Sequence, residues 1–267
     1  MKPELPTPNG MPTTKHKHIK IAANKKVYFV SDHHFGLPDA SESLVREKRF
    51  VRWLDNAEKD AGAIFVLGDM FDVWYEYKLA VPKGFVRVLG KLAHLSDKGI
   101  PIYFFVGNHD LWMRDYLEKE LQIPIFFDPE IFYINNKKFL IGHGDGLGPG
   151  DKKYKLLKKL FRNKLAQWAF RWLHPDLGLR LAQYLSKENK VISGTYSEKS
   201  YGEKEWLYQY CQQYLQHTPD MDFFVFGHRH LPLEMPLDKQ AVYYNTGDWL
   251  THFSHLEFDG DKMKILK

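Results

Sequence analysis

The chain has 267 residues, of which 44% are hydrophobic and 27% charged, with a net charge of +5. That length suits one large domain, or one domain with a smaller attachment, and the composition excludes wholesale disorder, collagen and simple fibres. A single cysteine, Cys211, excludes an internal disulfide, restricts any metal site to nitrogen and oxygen ligands, and points to a reducing compartment.

Residues 1–26 carry four prolines and the basic run Lys15-His16-Lys17-His18 without an apolar core, and read as a loose tail rather than a signal peptide. From residue 27 onward, short β-branched and aromatic runs recur, each ending in polar residues and glycine: Val27–Ser31, Ala63–Gly68, Ile102–Gly107, Phe139–Gly142, Phe223–Gly227 and Ala241–Asn245. They are nearly continuous rather than alternating, the pattern of strands buried on both faces. Between the first three, Leu44, Val51, Leu54 and Ala57 share a helical face, and Phe85, Val88, Leu89, Leu92 and Leu95 repeat at helical spacing until Gly99. Further on, Tyr154, Leu157, Phe161, Leu165, Trp168 and Trp172 predict one amphipathic helix over about 152–173, ended by His174-Pro175. Additional helices are predicted around 177–185 and 206–215, the three together forming a helical insertion between two strands. His252–Phe258 and Met263–Leu266, joined at Asp259-Gly260, read as a hairpin with a tight turn. These elements describe a layered α/β architecture with a mixed sheet or two packed sheets. No run approaches the roughly 18 to 20 apolar residues of a bilayer span.

Charge is unevenly placed. Residues 151–190 hold eleven Lys/Arg against three acids, a balance of +8 that leaves −3 for the remainder. Such a segment serves either as a solvated helical layer or as a surface for an anionic partner.

The residues immediately after the strands carry the chemistry: Asp32-His33-His34, then Gly68-Asp69-Met70-Phe71-Asp72, Gly107-Asn108-His109-Asp110, Gly142-His143-Gly144-Asp145 and Gly227-His228-Arg229-His230. A lone histidine is more often a hydrogen-bonded structural residue than a ligand. Five Asp, Asn and His clusters in series, each at the C-terminal end of a strand where open α/β sheets bind ligands, are hard to assign to chance. Carboxylates, an amide oxygen and imidazoles suit Mn²⁺, Fe, Co²⁺ or Zn²⁺, and there are more of them than one ion needs. Two ions about 3.5–4 Å apart, bridged by a carboxylate, form the usual clamp for in-line displacement at phosphorus.

In order and type these blocks resemble the five signature blocks of the calcineurin-like metallophosphoesterases, over residues 27 to about 250. The resemblance implies a four-layer α/β/β/α sandwich, one metallophosphoesterase domain over 27–267, and a two-metal hydrolase. Carried over by position, Asp32, His34 and His230 would bind one ion, Asn108, His143 and His228 the other, and Asp69 would bridge them. The resemblance further implies that His109 faces the phosphate without binding metal and that Asp72 orients it, although an aspartate there could also cap a helix and Asp110 could support a ligand from behind. His33 reads as packing or as supporting a ligand from behind, and His94, His217, His252 and His255 as structural or exposed. Manganese is the leading metal, with iron and zinc also accepted by this ligand set.

Within that superfamily the sequence is most similar to the UDP-2,3-diacylglucosamine pyrophosphatases of lipid A synthesis, through Gly68-Asp69-Met70-Phe71-Asp72-Val73-Trp74, His143-Gly144-Asp145 and a helical insertion, about 148–208, before the last ligand block. In those enzymes such an insertion is a lid over acyl chains. The implied reaction yields UMP and 2,3-diacylglucosamine 1-phosphate, with Phe161, Trp168 and Trp172 as candidate substrate contacts. The lysine-rich, apolar helix fits an anionic membrane surface, hence a cytoplasmic protein peripheral to the inner face of the cell membrane. Two departures bear on substrate: His109 stands where that family often has arginine, and Gly227-His228-Arg229-His230-Leu231-Pro232 lacks its usual Thr and Arg-Pro. The competing readings are a phosphodiesterase or nuclease whose lysines and aromatics bind nucleic acid, and a non-catalytic scaffold, against which stands a complete ligand set.

Overall fold

The computed structural model describes residues 17–150, 152–193, 199–238 and 240–267; residues 1–16 of the expected tail lie outside the described residues. The chain begins with β1 (Lys17–Ile19), a strand where a tail was expected, and β2 (Lys26–Val30). Helix and strand then alternate through α1 (Ala40–Ala57), β3 (Ala61–Val66), α2 (Val86–Asp97), β4 (Ile102–Phe105), α3 (Tyr116–Leu121) and β5 (Ile125–Phe126). Next come β6 (Glu130–Ile134), β7 (Lys137–Ile141), α4 (Lys152–Phe161), α5 (Lys164–Arg171), α6 (Pro175–Ser193) and α7 (Trp206–Leu215). The last strands are β8 (Phe223–Phe226), β9 (Pro232–Pro236), β10 (Val242–Thr246), β11 (His255–Phe258) and β12 (Met263–Leu266).

Two six-stranded mixed sheets result, ordered β12-β11-β2-β3-β4-β5 and β1-β6-β7-β8-β10-β9. β1 extends the second sheet by pairing in parallel with β6, Lys17 against Phe132, which is why the sequence from residue 17 is not tail. The continuous apolar runs are explained by β3: Ile64 and Val66 pack toward α1–α3, while Ala63 and Phe65 face the other sheet. Phe132, Phe139 and Val225 complete the core between the sheets, and Phe224, Phe226 and Tyr243 pack on α7. Three apolar interfaces make four layers, the α/β/β/α sandwich. Each fully buried Val, Leu, Ile or Phe side chain contributes roughly 1.5–3 kcal/mol to holding them together. Phe258 pairs with Met263, so the β11–β12 loop has four residues instead of a two-residue Asp-Gly turn, closed by Asp259 accepting from Asp261 N and Lys262 N.

The insertion departs from its periodicity. The helix expected over 152–173 breaks after Phe161, because Asn163 Oδ1 accepts from Leu165 N at 2.9 Å and Ala166 N at 3.1 Å and starts α5 as its cap. The apolar stripe is divided with it. Tyr154 and Phe161 turn inward, whereas Leu165, Trp168 and Trp172 are 76%, 58% and 75% exposed. α7 is not part of the insertion: Leu207, Tyr208 and Cys211 bury it against the second sheet as the outer layer. The ends of the insertion meet at Gly148, where φ is +71° and a Cβ would lie 2.4 Å from the Trp206 carbonyl oxygen, so that only glycine fits.

Candidate metal centre

The ligand-bearing loops begin where strands run out: β2 leads to Asp32 and His34, β3 to Asp69, β4 to Asn108 and His109, β7 to His143, and β8 to His228 and His230. Five of these residues hold left-handed backbone, with φ of 55° at Asp32, 45° at His34, 51° at Asp69, 67° at His228 and 56° at His230. Such strain, of order 1–3 kcal/mol per residue, persists only where packing enforces it and clusters at functional sites. Gly107 provides the closest approach, since a Cβ there would stand 2.2 Å from Asp69 Oδ1.

Asp32, His34 and His230 gather ligand atoms within 4.8 Å of one another, and so do Asp69, His143 and His228. His230 Nε2 lies 3.2 Å from Asp32 Oδ1 and 3.3 Å from His34 Nε2. Asn108 Oδ1 is 3.2 Å from His143 Nε2. Asp69 Oδ2 faces both groups, 3.8 Å from His34 Nε2 and 3.4 Å from His143 Nε2, the placement a bridging carboxylate needs. The chemistry of this donor set fits divalent cations. Asp32 Oδ1 is buried without a hydrogen bond, an acceptor that a cation would satisfy.

The remaining atoms of each ligand are held from behind. Asp32 Oδ2 accepts from Ser31 Oγ and from His228 N at 2.9 Å, and Asp69 Oδ1 accepts from His109 N at 2.8 Å. His143 Nδ1 donates to the Leu67 carbonyl at 2.6 Å, which turns Nε2 toward the cluster, as a metal-binding imidazole would need. Asp110 accepts from Gly107 N and Met70 N at 2.7 and 3.0 Å, tying the β3 and β4 loops together; burial and the neighbouring Asp69 push its carboxyl up to about 7. Burial holds His34 and His228 down at about 3, so both imidazoles keep a free lone pair. Burial also pushes His143 down, but Asp69 outweighs it and raises the ring to about 10; burial likewise pushes Asp69 up, but His143, His109 and His34 hold it well below the usual range. The carboxylate that keeps a proton on His143 would hold a cation in its stead.

His109 lies beside this cluster. Its Nδ1 donates to the Asp72 carbonyl at 3.1 Å and stands 3.3 Å from Asp72 Oδ1. α2 begins at Val86, so Asp72 does not cap it. His34, Asp72 and His109 also lie within 4.8 Å of one another, a third grouping that shares His34 with the first.

Several supporting residues are not among those picked from the sequence. Ser186 of α6, buried, donates to Asp72 Oδ1 at 3.0 Å and sits 3.3 Å from His109 Nδ1, so the insertion closes over this pair. Tyr154 and Lys158 of α4 reach Asp145 at 2.5 and 2.6 Å; burial pushes that carboxyl up, but Lys158 and His143 hold it down at about 2. Buried Arg46 donates to the carbonyls of His33, His34 and Leu37 at 2.7, 2.8 and 2.6 Å and so shapes the first ligand loop. Asp248 stands 3.5 Å behind His230 Nδ1. The available signal was a polar residue at a buried helical position, as with Arg46 on the Ser43, Phe50, Leu54 face of α1; Ser186 carries none.

His33 is packed among Phe35, Phe50 and Trp249, with ring centroids at 5.4, 4.1 and 5.5 Å. Phe161 packs edge-on to Trp112 at 5.5 Å, while Trp168 and Trp172 meet each other at 6.1 Å and face outward. Among the described contacts these three aromatics do not join the ligand cluster.

The family profile of the calcineurin-like phosphoesterases matches residues 25–232. UDP-2,3-diacylglucosamine hydrolase of Porphyromonas gingivalis is 37% identical over 252 residues, 90% of this chain and 96% of that protein. The protein of the same name from Edwardsiella ictaluri is 28% identical over 82% of this chain and 84% of its own length. Among solved structures, a phosphoesterase from E. coli covers 90% of this chain and 92% of its own at 16% identity, with a TM-score of 0.44.

Proposed function

The chain belongs to the calcineurin-like phosphoesterase family and is a metal-dependent hydrolase, and from that premise we propose that it cleaves the diphosphate of UDP-2,3-diacylglucosamine to UMP and 2,3-diacylglucosamine 1-phosphate. The observation that carries the substrate is the 37% identity, over nearly all of both chains, to a protein named for hydrolysing it. Two divalent ions, manganese first, would be held by Asp32, His34 and His230 and by Asn108, His143 and His228, with Asp69 between; when bound they lower the pKa of water and offset phosphate charge. His109, held by Asp72, presents Nε2 to the bridging or leaving oxygen of the diphosphate and can hydrogen-bond or protonate it. Asp110, Arg46 and the Leu67 carbonyl keep the ligand loops in place, and α6 limits water at His109.

The insertion suits an amphiphile. Twelve of the seventeen exposed large apolar side chains among the described residues lie between Leu156 and Tyr201. A groove of about 640 Å³ beginning at Leu111, two residues past His109, combines Met113, Phe127 and Trp168 with Arg114, Arg162, Lys164 and Arg171. Apolar surface beside cations fits acyl chains joined to phosphate and favours an anionic membrane face. No helix of the described residues is long and apolar enough to cross a membrane. The test is an Mn²⁺-supplemented assay on UDP-2,3-diacylglucosamine, an aryl phosphodiester and single-stranded DNA. Preference for the first by kcat/KM supports the proposal; equal or greater hydrolysis of DNA would replace it with a nuclease.

A further inference from the structure

Arg229 stands between His228 and His230, and both neighbours hold left-handed backbone, with φ of 67° and 56°. That conformation is unfavourable for a residue with a side chain and must be enforced from outside the loop. Asp32 Oδ2 accepts from His228 N at 2.9 Å and Asp248 stands 3.5 Å from His230 Nδ1, and the side chain between the two histidines reaches out of the loop altogether. Arg229 is 3% exposed, and its Nε meets Glu205 Oε2 at 3.0 Å while Nη2 meets Glu205 Oε1 at 3.2 Å and the Lys199 carbonyl at 2.6 Å. Glu205, 1% exposed, also accepts from Tyr201 N at 3.0 Å. The guanidinium lies 5.5 Å from the Tyr201 ring and 5.8 Å from the Trp206 ring, and Trp206 stands edge-on to His228 at 6.3 Å. Residues 199–206 are the segment by which the insertion returns to α7. One side chain therefore grips the end of the insertion and sits within the loop that carries two candidate ligands.

We propose that Arg229 is a positioning residue that, anchored on Glu205 and the Lys199 carbonyl, holds His228 and His230 in their left-handed conformations and so couples metal retention to the seating of the 199–206 segment. The proposal rests on reading those histidines as ligands and does not depend on the substrate. A planar two-pronged pairing is a geometry that lysine cannot reproduce. Glu205 also neutralises a buried cation that would otherwise repel a divalent ion beside it, and removing either partner leaves the other charge buried and unpaired. Coupling is reciprocal, so metal binding must tighten the 199–206 segment to the extent that the segment tightens metal binding.

Glu205→Gln and Arg229→Lys, singly and together in the full chain, are titrated with Mn²⁺ against a competing chelator, and amide hydrogen exchange over 199–206 is followed in the unaltered protein with and without Mn²⁺. Each single variant is expected to lose about 10- to 100-fold in Mn²⁺ affinity, the range for residues that support a ligand from behind. The double variant should lose no more than the worse single one, and Mn²⁺ should slow exchange over 199–206. Folded variants that hold Mn²⁺ normally, losses that add, or exchange indifferent to Mn²⁺ would each overturn the coupling; if a variant does not fold, the exchange measurement on the unaltered chain decides. An unaltered chain that takes up no Mn²⁺ would overturn the metal reading itself, a result distinct from normal uptake by the variants.

Discussion

Asp69 presents one oxygen to both halves of the candidate ligand cluster and commits the other to His109 N, so its charge would serve both proposed cation positions at once. Asp69→Asn keeps the shape and removes that charge; activity should vanish and elemental analysis should show metal content falling at both positions. His109→Ala should behave differently, keeping metal while kcat falls about 10²- to 10⁴-fold, the range for a positioned proton donor; loss of metal from that variant would make His109 a ligand. His143 offers a pH test. Against burial, Asp69 raises its ring from 6.5 to about 10, so this proton's contribution to stability is full below about 6.5 and is lost as pH rises through about 10. A cation needs the same nitrogen without its proton, so Mn²⁺ uptake should release protons and tighten as pH rises from about 6 to about 9. Calorimetry in buffers of different ionisation enthalpy measures that release, and affinity flat across the range would contradict the assignment of His143.

At the scale of elements, the break at Asn163 decides what the insertion's aromatics can do. Phe161 ends α4 against Trp112, whose Nε1 donates to the Phe161 carbonyl at 2.9 Å, so its burial is structural. Phe161→Ala should therefore cost on the order of 2 kcal/mol, below the 3–5 kcal/mol of a fully buried phenylalanine, visible as a lower thermal midpoint. Trp168 and Trp172 on the far side of the break are mostly exposed, and their replacement by alanine should leave the midpoint nearly unchanged while raising KM for the acylated substrate more than for an aryl phosphodiester. A drop in stability from the tryptophans, or equal effects on the two substrates, would count against their contact with acyl chains. α4 and α6 are tied to the centre by polar contacts of quite different kinds, Tyr154 and Lys158 on Asp145 and Ser186 on Asp72.

For the whole molecule, the concentration of positive charge and exposed apolar surface on one appendage of a near-neutral body predicts how it partitions. Sedimentation with vesicles containing anionic lipid should exceed that with neutral vesicles and weaken as salt rises, and changing Lys155, Lys159 and Lys164 to Glu should reduce it without altering hydrolysis of an aryl phosphodiester. Binding indifferent to lipid charge would remove the membrane reading. The ligand blocks and the alternation of strand and helix could be read from the sequence alone, because a strand buried on both faces must be continuously apolar and the loop after it is where polar residues such as Asp32, Asn108 and His228 become tolerable. The residues that aim those ligands could not. Arg46 is thirteen residues from His33, Ser186 is 114 from Asp72 and Glu205 is 24 from Arg229, and each meets its partner only after the layers have packed. β1 is invisible in a proline-rich tail because its partner, β6, lies more than a hundred residues away. Helical periodicity likewise cannot register a single asparagine turning from helix interior to cap. Composition and spacing reflect local physics, which the sequence contains; ligand orientation, the grip of Arg229 on the insertion and the division of its aromatics between core and surface depend on contacts between distant segments, which only the folded chain creates.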